Sequence, residues 1–196
     1  MKRALLIFVL TATSLCTVYG QSDYLDKGNT LLNNGDFEGA EKIFRDGIKA
    51  DSNDLILQCQ LGLTLIQMKK YDDAESILNK VLEKEPNHVG GNWYAGVGNY
   101  KNAKDRKAIE HFETVLPLLT KSSGQYFSAN WFIGKSYSHL LRTEGLTYNE
   151  TDRMLECFEE YLRLQSNAKD SNEIREYVDR KKKRRPSANV EKWIDL

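Results

Sequence analysis

The chain is short of proline, cysteine and histidine, with three of each in 196 residues. So few prolines exclude a proline-rich extended class and leave room for uninterrupted helices. Cys16 lies in an apolar leader, so Cys59 and Cys157 remain, too few for the disulfide framework of a small exported domain. Each reads as a small helical hydrophobe. His88, His111 and His139 have no HExxH or CxxC spacing around them, so no metal, no cofactor and no catalytic constellation is expected, and the chain reads as a non-enzyme. Gly90-Gly91 and the GVG at 96–98 follow no strand and lack the GxxxxGK of a phosphate loop. Net charge is missing as well: 28 Lys and Arg face 28 Asp and Glu, which removes any general attraction to nucleic acid.

What is present begins with Lys2 and Arg3, followed by ALLIFVLTATSLCTVYG and no charge until Asp23. A basic start, an apolar middle and small residues before a cleavage point predict a secretory signal peptide over residues 1–20. The strongly apolar part, from Ala4 to about Leu15, is shorter than the roughly 20 residues that cross a bilayer. Export to the periplasm or the medium, from a bacterial cell, is the expectation, and no later stretch is apolar enough to span a membrane.

The remainder repeats itself. Gly28, Gly62 and Gly96 stand 34 residues apart, and so do Ala40, Ala74 and Ala108, and Phe44, Leu78 and Phe112. Three columns that keep one period make each copy a unit. Within a copy, Leu61, Leu65 and Met68 recur at helical steps around Gly62, then Ala74, Ile77, Leu78, Val81 and Leu82 do so before Pro86. Two amphipathic helices per copy follow, with the Gly and the Ala where backbones approach closely and the bulky residue filling the gap beyond. A fourth, degenerate copy starts near Phe127 with Ile133-Gly134, Tyr137, Met154 and Phe158. It needs about eight extra residues, which the polar RTEGLTYNE of 142–150 is expected to supply as a loop, with Thr147 and Glu150 as a capping box. The second helix of the third copy is expected to run past Pro117.

The pattern resembles the tetratricopeptide repeat, W-x2-L-G-x2-Y, A-x3-F and P, although Gln58 stands in the tryptophan column and Asn99 in the tyrosine column. The resemblance implies an all-α, right-handed solenoid of stacked helix-turn-helix repeats, about 21–54, 55–88, 89–122 and 127–165, ending in a capping helix within 166–196. It also implies a concave groove lined by the first helices. Mapped onto this chain, the groove columns hold Leu25, Cys59, Trp93 and Trp131; Asn29, Leu63, Val97 and Lys135; and Leu32, Ile66, Tyr100 and Ser138, with Lys101 and His139 beside them. Aromatics among a few cations suit a protein partner that buries apolar side chains of a peptide or helix. The lysine and asparagine clamp that some family members use for a terminal carboxylate is not expected, since Leu25, Gly90 and Tyr94 occupy its basic places.

Ile174, Tyr177 and Val178 form an apolar stripe for the capping helix. After them come Arg180, Lys181, Lys182, Lys183, Arg184 and Arg185, then a tail with Val190, Trp193 and Ile194 at helical spacing. The sequence reads as an interaction module or scaffold of the cell envelope. The alternatives are a membrane-surface assembly factor whose basic run meets an anionic membrane, and a small-ligand sensor.

Overall fold

The computed structural model describes residues 23–195, so the expected signal peptide lies outside the described residues. These residues form nine helices: α1 over 23–33, α2 (Phe37–Ala50), α3 (Leu55–Gln67), α4 (Tyr71–Lys84), α5 (Val89–Lys101), α6 (Asp105–Val115), α7 (Gly124–Thr143), α8 (Tyr148–Leu164) and α9 (Ser171–Arg184). No strand occurs among them beyond one isolated bridge. Where the periodicity reads as one continuous domain, the chain divides into two compact units, one ending at Lys84 and the other starting at Glu85.

The repeat is visible in the backbone. The corners between the paired helices put Gly35, Lys69 and Ala103 at positive φ (79°, 60° and 54°), again 34 residues apart. Only glycine takes that conformation without strain. The side chain of Asp36 opens α2 by accepting from the Gly39 amide, and Asp54 opens α3 by accepting from Leu57. One period later His88 caps α5 through Nδ1, 3.0 Å from the Gly91 amide.

Each glycine of the first column faces the bulky residue of its own hairpin. A Cβ on Gly28 would lie 2.2 Å from the Phe44 ring; on Gly62, 2.7 Å from Leu78; on Gly96, 2.9 Å from Phe112; and on Gly134, 2.8 Å from Phe158. The bulky side chain therefore folds back onto the glycine rather than reaching to the next helix. The second helix of every pair can come this close only because the first has no Cβ there. The tryptophan column holds buried amides instead. Gln58 donates to the Ser52 carbonyl at 3.0 Å and Asn92 to the Pro86 carbonyl at 2.8 Å, each reaching six residues back to tie down its turn.

In the first unit, α2, α3 and α4 bury Ala40, Phe44, Leu57, Leu61, Leu65, Ala74, Leu78 and Val81. Burying a leucine or phenylalanine stabilises by roughly 1.5–3 kcal/mol, which makes this apolar set the main favourable contribution. Glu41 adds a polar tie from α2 to the α3–α4 corner, meeting Lys70 at 2.9 Å and Arg45 at 2.8 Å.

In the second unit the extra eight residues do not form the expected loop. Relative to the preceding hairpin, α7 runs four residues further past its glycine and α8 starts three residues earlier ahead of its phenylalanine. The corner then gains one, leaving only residues 144–147. The apolar Leu140, Leu141 and Leu146, all buried, make extra helix more favourable than exposed loop. Thr147 and Glu150 form the capping box. Helix α6 does not pass Pro117: it stops at Val115, and Leu116–Leu118 form a single 3₁₀ turn, because proline has no N–H to donate and clashes with the carbonyl four residues back. Helix α9 closes the unit by burying Ile174 and Val178 and laying Tyr177 on Phe158 at 5.7 Å.

The C-terminal segment forms no helix, contrary to the spacing of Val190, Trp193 and Ile194. It turns back, and Leu146 and Trp193 exchange both backbone hydrogen bonds at 2.8 Å. Gly145, at φ 78°, leaves the room this needs, since a Cβ there would lie 2.7 Å from Ile194. Half-buried Trp193 packs against the core, and that burial outweighs the one turn of helix the segment forgoes.

Candidate functional site

The predicted groove residues of the second unit come together. Helix α5 presents Trp93, Val97 and Tyr100 at helical steps, and α7 presents Trp131, Lys135 and His139. The Tyr100 ring lies 6.0 Å from Trp131 and 6.1 Å from His139, which it meets almost in parallel. The ammonium of Lys135 stands 5.5 Å from the Trp131 ring centroid, within cation–π range. Trp93 turns its edge to Phe112 at 5.6 Å, so this ring is shared between the surface and the core.

Two residues that the sequence reading missed organise this wall. Phe132 stacks on Phe112 at 4.8 Å and meets Tyr100 at 5.0 Å and Trp131 at 5.1 Å. It lies outside the groove columns, so nothing in the repeat pattern singled it out. Asp170, at the start of α9, accepts from the Trp131 indole at 2.6 Å and from the Tyr161 hydroxyl at 2.8 Å. Burial works to raise the Asp170 carboxyl, but the hydrogen bonds from Tyr161 and Trp131 hold it below the usual aspartate value. An aspartate just ahead of the capping helix was the one signal available in the sequence.

Below Tyr100, mostly buried Asp105 places Oδ1 3.5 Å from His139 Nδ1. Burial, and after it the Asp105 charge, pushes the Tyr100 phenol above its usual value. The arrangement is a face of packed aromatic rings beside Lys135, whose chemistry suits apolar and anionic groups. Among the described residues no three His, Cys, Asp or Glu side chains gather as a metal cluster.

In the first unit Leu25, Asn29, Leu32 and Leu63 are partly exposed. Ile66, predicted in the groove, is 1% exposed and belongs to the core, because it falls on the buried side of α3; Cys59 is buried as well. Among the described residues Cys59 and Cys157 form no disulfide, and burial pushes the Cys157 thiol up to about 12, which leaves it an inert packing group.

The basic run is partly neutralised within the chain. Lys181 is buried and pairs with Asp195 while lying over the Tyr177 and Trp193 rings. Lys182 pairs with Glu159, and Arg185 pairs with Asp152 and stacks on Tyr148. Arg180 lies over Tyr177, and Lys183 and Arg184 are exposed.

Comparison with known proteins sets this geometry in context. Residues 26–91 match the family profile described as tetratricopeptide repeat. The chain is 28% identical over 104 residues to anaphase-promoting complex subunit 6 of Arabidopsis thaliana, a match that covers 50% of this chain and 19% of that protein. Among solved structures, a MamA crystal structure superposes with a TM-score of 0.62 at 20% identity, covering 87% of this chain and 98% of the other. MamA from Desulfovibrio magneticus RS-1 gives 0.63 at 18% identity, covering 86% and 98%. At those identities the likeness shows the fold: an all-α solenoid of stacked helix-turn-helix repeats.

Proposed function

We propose, from the premise that this is a tetratricopeptide-repeat protein, that it is a non-enzymatic interaction module or scaffold of the cell envelope that captures a segment of a partner protein on the aromatic face of α5 and α7. Repeats of this family generally serve as scaffolds for protein–protein contact. The observation that carries the reading is the meeting of Tyr100, Trp131 and His139 with Lys135 over the Trp131 ring. Aromatic anchors held rigid before binding lose little conformational freedom when a partner docks, so more of the contact energy becomes affinity. An envelope location rests on the basic and apolar first twenty residues.

A membrane role for the basic run is less well supported, since Lys181, Lys182 and Arg185 are turned to acids of the chain itself. The test is a pull-down from the envelope fraction of the native host, comparing the wild type with a Tyr100→Ala/Lys135→Glu variant whose circular dichroism stays helical. Loss of a partner with the variant is the expected result; a partner retained in full would rule out this face as the working surface.

A further inference from the structure

The residues gained by the fourth hairpin build something that the regular hairpins lack. The added last turn of α7, residues 140–143, carries Arg142, and the Leu141 carbonyl on the same turn accepts from the Asp195 amide at 3.2 Å. Between α7 and α9 lies a cavity of about 430 Å³ with Phe158 and Tyr177 in its wall. Lys135, His139 and Arg142 line it from α7, and Arg180 and Lys181 from α9. Its acids are Glu173 and Glu176, near the start of α9, and Asp195 from the tail.

The charges are therefore unevenly distributed. Glu173 and Glu176 precede Arg180 by one to two helical turns, so the cavity has an acidic end and a basic end. At the basic end Asp195 is paired with Lys181. Among the described residues no carboxylate pairs with Arg142 or Arg180, and both are exposed. Burial, and after it the charges of Arg180, Arg184 and Arg142, pushes the Lys181 ammonium below its usual value, a sign of excess positive potential at this place. The chain already shows what such a corner accepts: an extended segment that sets an aromatic ring, Trp193, and a carboxylate, Asp195, two residues apart.

We propose that Arg142 and Arg180 form a subsite for the carboxylates of an acidic peptide segment, so that the partner captured on the aromatic face carries aspartate or glutamate next to its apolar anchor. This rests on the reading of that face as the docking surface. Guanidinium forks match carboxylates in two parallel hydrogen bonds, and an apolar wall beside them strengthens the pair relative to open water. The subsite belongs to the added turn and the capping helix, not to the regular repeats.

The experiment is fluorescence anisotropy with labelled hexaglutamate at low ionic strength on the full chain, run beside an Arg142→Gln/Arg180→Gln variant and a Lys183→Gln/Arg184→Gln control. Hexaglutamate is expected to bind and to weaken by about tenfold or more in the first variant and by less than about twofold in the control. Absence of binding to the wild type, or equal weakening in both variants, would overturn the proposal. So would displacement of the peptide by equimolar inorganic phosphate, which would mark a general anion site. Binding to phosphatidylserine vesicles that falls with the Arg142/Arg180 variant while hexaglutamate binding does not would assign the cluster to a membrane. A partner still lost with Tyr100→Ala/Lys135→Glu alongside failed hexaglutamate binding would defeat the acidic-segment proposal alone.

Discussion

The two units use the same contact in different settings. In both, a glycine on the first helix of a hairpin admits a bulky side chain from the second, Phe44 and Leu78 in one and Phe112 and Phe158 in the other. The first unit keeps regular corners of three residues, whereas the last hairpin of the second has longer helices, a four-residue corner and a C-terminal segment clasped to it. The glycine contact survives an eight-residue insertion because the added length goes into turns beyond the point of close approach. The aromatic face joins the regular α5 to α7, whereas the proposed subsite beside it uses the added turn of the irregular hairpin. Packing thus tolerates length changes away from the crossing, and surfaces new to the fold arise there.

The largest expected effect tests the shared contact. Gly28→Ala forces a methyl group against the rigid Phe44 ring and should destabilise the first unit by about 1–3 kcal/mol, measured by urea denaturation. Gly62→Ala meets the end of a flexible leucine and should cost less, while Gly134→Ala should resemble Gly28→Ala. A neutral Gly134→Ala would break the equivalence of the regular and the degenerate hairpins.

Acid sharpens the contrast between the units. Glu150, Glu160 and Asp170 in the second unit, against Glu41 in the first, are held below their usual values. A carboxyl with a depressed folded-state pKa stabilises above its unfolded value and loses that contribution as pH falls through the folded one. Hydrogen exchange followed downward through the ordinary carboxylate range should show α8 and α9 loosening before α2. Asp170→Asn should reduce that difference. Simultaneous loosening of both units would remove the electrostatic distinction.

The smallest effect concerns the corners. Lys69→Gly in the first unit and Ala103→Gly in the second relieve residues held at positive φ, and each should stabilise by up to about 1 kcal/mol in thermal melts. Destabilisation by either would mean that its side-chain contacts outweigh backbone strain.

The hairpins, their period, the capping box of α8 and the apolar stripe of α9 were legible because helical periodicity and capping are local properties of neighbouring residues. The corner column at 35, 69 and 103 was hidden, since lysine and alanine do not announce a left-handed backbone. The three columns of groove candidates named Tyr100, Trp131 and Lys135, with His139 beside them, but not Phe132 or Asp170, which hold them in place. Those two act through contacts between different helices, and no spacing within one helix encodes such a contact.

By itself the sequence determined that the repeats are paired amphipathic helices and which column must stay small, because backbone hydrogen bonding and the burial of one helix face are set within a few residues. Tertiary structure alone decided that the insertion becomes two extra turns, that Ile66 is core, that the tail folds back on Leu146 and that half of the basic run is neutralised. Each of those outcomes depends on which distant apolar surface or opposite charge is within reach once the helices have packed, and that is a property of the assembled chain.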